Sequence, residues 1–343
     1  MLYYYALLYY NINLKQIKTM KKIHLISTLI GLLAFSTLAK ADLKVVTSIK
    51  PIHSLASYIM DGVGSPGLIV DGYNSPHSFQ LKPSHAKMLE QADIIFWVGE
   101  DLENFLEKPL DTIAKKAEKI ELLEIKGIKK LKFRERNIFE EHDDHGHDAK
   151  KEEHDDDDDH GHDAKKEEHD DHEGHGHGEY DPHIWLDPIN AKVILNEITE
   201  HLIENDSKNA STYKSNLAKA LAEIDKLIID VITETNTDLS YVVFHDAYQY
   251  YENRFNVNIL GAMTVNPDVM PGAEQIHEIH EVIEHDNVSC ILSEPQFNPD
   301  IIKSIAKDTN VKTGVLDPLG ANLKPGKDLY FDLIRNMSAS FNC

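Results

Sequence analysis

The sequence predicts an α/β protein of two lobes, each built on a four-stranded parallel sheet, and three observations predict it. Short apolar, β-branched runs alternate with helix-length amphipathic stretches, the pattern of βαβ units. The alternation runs through twice, before and after an acidic segment at 140–180. A chain of 343 residues also has room for two cored domains, since one domain usually holds roughly 100–200 residues.

Taken in order, residues 20–41 read MKKIHLISTLIGLLAFSTLAKA: a basic start, an apolar stretch and a small-residue cleavage pattern. They are expected to form a signal peptide cut before Asp42, with 1–19 an extension ahead of the better start at Met20. The apolar stretch is shorter than the roughly 20 residues that span a bilayer, and no later stretch comes closer, so the mature chain is expected to be exported and not membrane-inserted. No cysteine stands at the cleavage point, so no lipid anchor is expected.

The first lobe is expected over 42–206, with strands at 44–49, 68–70, 94–98 and 120–125 and helices at 82–91 and 102–116. Phe96 and Trp97 are expected in its sheet core, and His53 and His85 on helix surfaces. Helices follow at 188–203 and 210–235. In the second, Leu217, Leu221, Ile224, Ile228 and Val231 recur at steps of four and three, which marks a linking helix over 207–237. The second lobe, 238–343, has strands at 241–244, 259–263, 288–293 and 313–316, with helices at 247–254, 273–285, 300–307 and 329–340. Export places Cys290 and Cys343 in an oxidising compartment, where they are expected to pair. Closing that loop of about 54 residues stabilises the fold by roughly 4 kcal/mol in the chain-entropy picture.

The formal charge of −23 makes a nucleic-acid partner a poor fit, but most of it is local. Residues 140–181 hold twenty acidic side chains and four lysines, a balance of −16, which leaves −7 for everything else. Within that segment HGHDAKKEEHDD occurs at 145–156 and again at 160–171, and 142–177 hold ten histidines with no apolar residue larger than alanine. Such a composition cannot form a core and is expected to be disordered. Its imidazoles and carboxylates offer weak sites for borderline-soft cations.

In parallel α/β sheets ligands bind beyond the carboxyl ends of the strands. That rule selects His77 in DGYNSPH, His183 in DPHIWLDP, His245 in VVFHD and Asp317 in VLDPLG, two from each lobe. Three imidazoles and a carboxylate suit Zn²⁺, and would also take Co²⁺ or Ni²⁺. A zinc hydrolase is a poorer fit. His277-Glu278-Ile279-His280 spaces its histidines by three, where the protease helix needs four, and no catalytic residue is assigned. His277, His280 and His285 are expected on a solvated helix face.

From residue 42 onward the chain resembles the metal-specific solute-binding proteins of ABC importers, most closely the zinc-binding ZnuA type. The stretches that carry the resemblance are VVTSIKPIHSL, SPHSFQLKPS, ADIIFWVGEDLE, DPHIWLDP, VFHDAYQYYE, SEPQFNP and LDPLGANLKPG. It implies two (β/α)4 lobes joined by a long rigid helix, and a monomeric, soluble periplasmic receptor that carries Zn²⁺ as cargo to a membrane permease. His77, His183 and His245 fall on the zinc ligands. A carboxylate takes the place of His245 in manganese-binding relatives, and Asp317 matches an aspartate that is the fourth ligand there, so its part is open between ligand and bystander. A cysteine pair placed like Cys290 and Cys343 and a His-rich insertion also belong to the zinc type. The competing readings are a manganese or other divalent-metal receptor of the same type, and a His-rich zinc buffer or adhesin.

Overall fold

The structure, a computed structural model, describes residues 42–134, 136–139, 178–265, 267 and 269–343; the expected signal peptide and most of the His-rich segment lie outside them. β-Branched and large apolar residues pack well on a pleated surface, and they dominate the inner strands. Val45–Ile49 (β1), Gly67–Val70 (β2), Ile94–Trp97 (β3) and Glu118–Glu121 (β4) pair in parallel in the order β2-β1-β3-β4. Ser240–His245 (β5), Asn258–Thr264 (β6), Cys290–Ser293 (β7) and Lys312–Val315 (β8) repeat the scheme as β6-β5-β7-β8. Two four-stranded parallel sheets are therefore the observed architecture, as expected. β1, β3 and β5 are buried along their whole length, as central strands covered on both faces must be, and Phe96 and Trp97 are in the core.

Each parallel pairing needs a crossover, and the first of them is the helix expected around His53, for which the sequence set no bounds. Lys50–Ile59 (α1) starts directly from β1 with Pro51 in its first turn, where a missing N–H costs nothing. α1 packs against β1 and three other helices, and all its residues except Ser57 are buried. Ile52, Leu55, Ala56 and Ile59 recur at helical spacing along it. His53, expected at the surface, is instead buried beside the segment that leads into β2, with Nε2 3.2 Å from the Pro66 carbonyl oxygen. The remaining helices are Pro83–Gln91 (α2), Glu100–Thr112 (α3), Pro188–Asn205 (α4), Ala210–Glu234 (α5), Gln249–Phe255 (α6), Ala273–His285 (α7), Asp300–Thr309 (α8) and Leu329–Ser340 (α9).

The 25 residues of α5 span about 37 Å at a 1.5 Å rise. This helix is fastened to elements of both halves. The Tyr58 hydroxyl donates to Glu223 at 2.7 Å, Asn216 donates to the Ile59 and Asp61 carbonyls, and Thr235 at its C-terminal cap meets Ser338 of α9 at 3.0 Å. One apolar cluster runs from the first sheet through α1, α4, α5 and α9 to one face of the second sheet. A smaller one fills the other face under α7 and α8. Leu43 to Cys343 is thus one compact unit. A disulfide joins Cys290, the first residue of β7, to Cys343 at the chain end, the expected pair.

Between β4 and α4 the chain crosses from the first sheet to the second as a strap. Asp181 N–H donates to Leu131 and Phe133 N–H to Glu179, so Lys132 and Tyr180 face each other as antiparallel partners. Further on, Ala262 N–H donates to Asn137 and Phe139 N–H to Leu260, both at 2.8 Å, which adds the strap to the open edge of β6. Gly261 permits this approach, because a Cβ there would stand 2.7 Å from the Asn137 carbonyl oxygen.

Past the end of β3, the Val98 and Gly99 amides both donate at 3.0 Å to the carboxylate of Glu103, which is fully buried and breaks the helical dihedrals of α3. Burial raises this carboxyl from 4.5 to about 7, against the lowering effect of the amides. A raised acid pKa means the folded state holds its proton where the unfolded chain has lost it, so stability falls as pH rises from 4.5 to about 7. Glu103→Gln keeps an acceptor for the amides without the charge. Its melting temperature is expected to gain on the wild type as pH is raised from about 5 to about 8, by the equivalent of about 3 kcal/mol, measured by calorimetric unfolding at both values.

Candidate metal centre

The two sheets each reverse their strand order at the first strand, and the crevice beyond that switch point is where ligands bind in such sheets. In the second sheet the switch lies between β5 and β7. His245 is the last residue of β5, and Glu294 follows the last residue of β7. His77 belongs to the loop that leaves β2, where its N–H donates to Ser75 Oγ. His183 sits just after the strap's antiparallel pairing, at the head of a tight turn over Ile184–Leu186.

These three histidines meet at one point. Their ring centroids are 5.2, 5.6 and 5.6 Å apart, and the three form a group whose ligand atoms all lie within 4.8 Å of one another. His183 and His245 are buried, and His77 is half-buried. They share a small cavity of about 10 Å³, room for a single water-sized occupant, with Pro76, Trp185, Phe297 and Leu319 among its walls.

Each of the two buried imidazoles has its Nδ1 on a buried carboxylate. His183 Nδ1 is 2.7 Å from Asp181 Oδ1, which also accepts the His183 backbone N–H, and His245 Nδ1 is 2.6 Å from Glu294 Oε1. Neutral imidazoles that donate from Nδ1 carry their lone pairs on Nε2. The two Nε2 atoms lie 3.3 Å apart. Facing lone pairs repel unless a proton or a cation lies between them. Two nitrogens at about 2.0–2.1 Å from a tetrahedral ion are themselves about 3.3–3.4 Å apart. The spacing is that of one edge of a zinc tetrahedron.

Electrostatics divide the pair. Burial, reinforced by the charge of His245, holds His183 well below its usual value, so it is a neutral base. Burial works against protonation of His245 too, but Glu294, with Asp246 and Asp181, outweighs it and raises the imidazole above 6.5. Burial also lifts Asp181 to about 7, Asp246 to about 6 and Glu252 to about 7. Arg134 of the strap offsets part of that charge, donating to Asp246 at 2.9 Å and to Glu252 at 2.6 Å. The segment around His183 is fixed from the second half as well. Arg254 grips Asp187 with two donors at 2.7 Å, and Tyr250 donates to the Asp181 carbonyl at 2.8 Å.

Asp317, a candidate whose part was open between ligand and bystander, is not brought into the cluster. Its Oδ1 accepts the amides of Leu319 and Gly320 and the Gln296 side chain, and its Oδ2 accepts the Ala321 amide at 2.6 Å. Asp-Pro after a strand starts a turn, and here the turn's own amides claim the carboxylate. Asp181 and Glu294 were not singled out from the sequence. Glu294 had a signal, an acidic residue one step past the strand adjoining the one that ends in His245. A second grouping, Glu118, His201 and Glu204, lies at the surface. His201 there spans Glu118 at 2.8 Å and Glu197 at 3.2 Å.

A histidine cluster in the crevice of a double parallel α/β fold braced by one long helix is the design of a two-lobed metal-binding protein. The family described as zinc-uptake complex component A, periplasmic, matches residues 45–342, and the chain belongs to that family. It is 46% identical over 328 residues to the high-affinity zinc uptake system protein ZnuA of Brucella abortus, covering 94% of this chain and 98% of that one. Among solved structures it superposes on ZnuA with a TM-score of 0.66 at 20% identity, over 88% of this chain and 100% of that one. The laminin-binding adhesin Lmb of Streptococcus agalactiae gives 0.67 at 21% identity, over 88% and 98%. The resemblance read from the sequence motifs is thus confirmed at the level of family and fold.

In the metal-free protein His245 is expected to titrate above 6.5 and His183 below it. Glu294→Gln removes the largest influence raising His245, so its titration is expected to move down while that of Asp181-bound His183 stays low. Heteronuclear NMR of the imidazole rings reads both.

Proposed function

We propose that this protein is a receptor that captures Zn²⁺ outside the cytoplasmic membrane on His77, His183 and His245 and delivers it to the permease of an ABC-type importer. The observation that carries the reading is the 3.3 Å separation of two Nε2 atoms whose Nδ1 partners are buried carboxylates. The carboxylates fix ring orientation and tautomer and make the imidazoles better donors. A set of three imidazole nitrogens suits zinc, whereas manganese favours carboxylate oxygens. With Asp317 engaged by its own loop, the fourth position falls to water unless that carboxylate gives up its amides. Names of the curated relatives support the zinc-uptake role, and among the described residues no helix is long and apolar enough to cross a membrane. The His-rich segment at 142–177 gathers cations by charge and weak ligation near the tight site.

Calorimetric titration of residues 42–343 with Zn²⁺ and Mn²⁺ tests this. One tight zinc site is expected, with manganese much weaker. The site is expected to survive deletion of 142–177, and to lose roughly a thousandfold in affinity, about 4 kcal/mol, in the double variant His77→Ala, His245→Ala. Loss of tight binding on deletion of 142–177 would instead identify a His-rich buffer.

The ion must displace the proton on His245, whose raised value means the ring is already charged at about pH 6. Zinc binding is therefore expected to release close to one proton at about pH 6 and to weaken further as pH falls, up to about tenfold per unit for that single proton. Titration in buffers of different ionisation heat measures the release.

A further inference from the structure

Lys50 is a lysine where none is needed for solubility. It is the first residue of α1, its side chain is 3% exposed, and its Nζ donates to the Gly320, Ala321 and Leu323 carbonyls at 2.7, 3.0 and 2.7 Å. All three ammonium protons are thus spent on one short loop from the other half of the molecule. That loop has its amides tied from the opposite side, since Leu319, Gly320 and Ala321 donate to Asp317. A cation therefore holds the carbonyls of 317–323 and an anion holds the amides, with Gly320 at φ +69° making the reversal.

The same loop is a wall of the metal cavity. Pro318 and Leu319 line it, and the Pro318 carbonyl accepts the Trp185 indole N–H at 2.9 Å. Trp185 lies against His183, with ring centroids 5.3 Å apart. Lys50 also stands 3.8 Å from Asp71, at the root of the loop that carries His77. It touches two of the loops that line the cavity.

We propose that Lys50 is a positioning residue that latches the 317–323 loop across the cleft and so sets how fast the bound ion leaves. This rests on the zinc-receptor reading for its cargo but not for the latch itself. Affinity differences within one site are mostly differences in dissociation rate, and a fixed wall acts on that step. Entry, governed by the histidines and the surrounding charge, is left nearly alone.

The test compares wild type with Lys50→Met, Lys50→Arg and Gly320→Ala. In metal-free protein, amide hydrogen exchange at Leu319, Gly320 and Ala321 is expected to rise about tenfold in Lys50→Met and to stay within about threefold in Lys50→Arg, which keeps a cation for the carbonyls. Stopped-flow release of Zn²⁺ to a chelator is expected to speed up about tenfold in Lys50→Met, with one zinc per chain and the association rate kept within about twofold. Gly320→Ala leaves Lys50 in place but strains the reversal, with its new Cβ 3.1 Å from Leu323 Cδ1, and is expected to accelerate release in the same way. Should Lys50→Met not fold, the Gly320→Ala result decides. Unchanged exchange, or faster exchange with unchanged zinc release, overturns the latch. Absence of tight zinc binding in the wild type overturns the receptor reading, and exchange still decides whether Lys50 holds the loop.

Discussion

Two imidazoles are held in a narrow crevice with their Nε2 atoms 3.3 Å apart, and much of the molecule is arranged so that they cannot turn away. Rotation of either ring would break a short charge-assisted contact to a carboxylate that is itself almost wholly buried. An unpaired buried carboxylate is more costly than a pair of facing nitrogens. The site is preorganised by its second layer of residues rather than by the ligands themselves.

The fold places that second layer from two directions. Glu294 arrives from β7, the neighbour of the strand that ends in His245, so their contact follows from parallel pairing and register. Asp181 arrives from the return arm of the strap, and its carbonyl is fixed by Tyr250 of the second half. Arg134 lies between Asp246 and Glu252 on the strap's other arm. The strap thus supplies a positive charge to a region that holds three buried acids and the half-buried Glu252, and a second grip on the His183 segment. A continuous apolar cluster and α5 leave the halves little freedom to part, which favours adjustment of single loops over wholesale hinge motion.

Much of this was legible in the sequence. Strand and helix alternation gave both sheets, and the strand-end rule selected His77, His183 and His245 without knowledge of distances. The misses have separate causes. His53 was placed on a helix but at its surface, because burial of a polar face by neighbouring chain is not visible in helical periodicity. β4 was expected at 120–125 and lies at Glu118–Glu121, since its apolar run continues into a tight turn at Leu122–Glu124. Asp317 obeyed the strand-end rule, yet its carboxylate is taken by amides two to four residues further along its turn, a competition that residue type alone does not reveal. Glu294 and Asp181 are invisible to a search for ligands because they act through the ligands.

The antiparallel pairing of Lys132 with Tyr180 has a consequence for how this gene product can vary. The pairing closes the ring at its base, so anything between the two arms is a loop whose ends are already joined. Lengthening such a loop costs only logarithmically, about 0.6 kcal/mol for a doubling. A tandem copying event within 142–177 adds no residue to the sheets, the histidine cluster or the strap positions that pair with β6. The duplicated twelve-residue unit at 145–156 and 160–171 is what such permissiveness would leave behind. Repeat number can change there without altering any residue of the histidine cluster or of the carboxylates behind it.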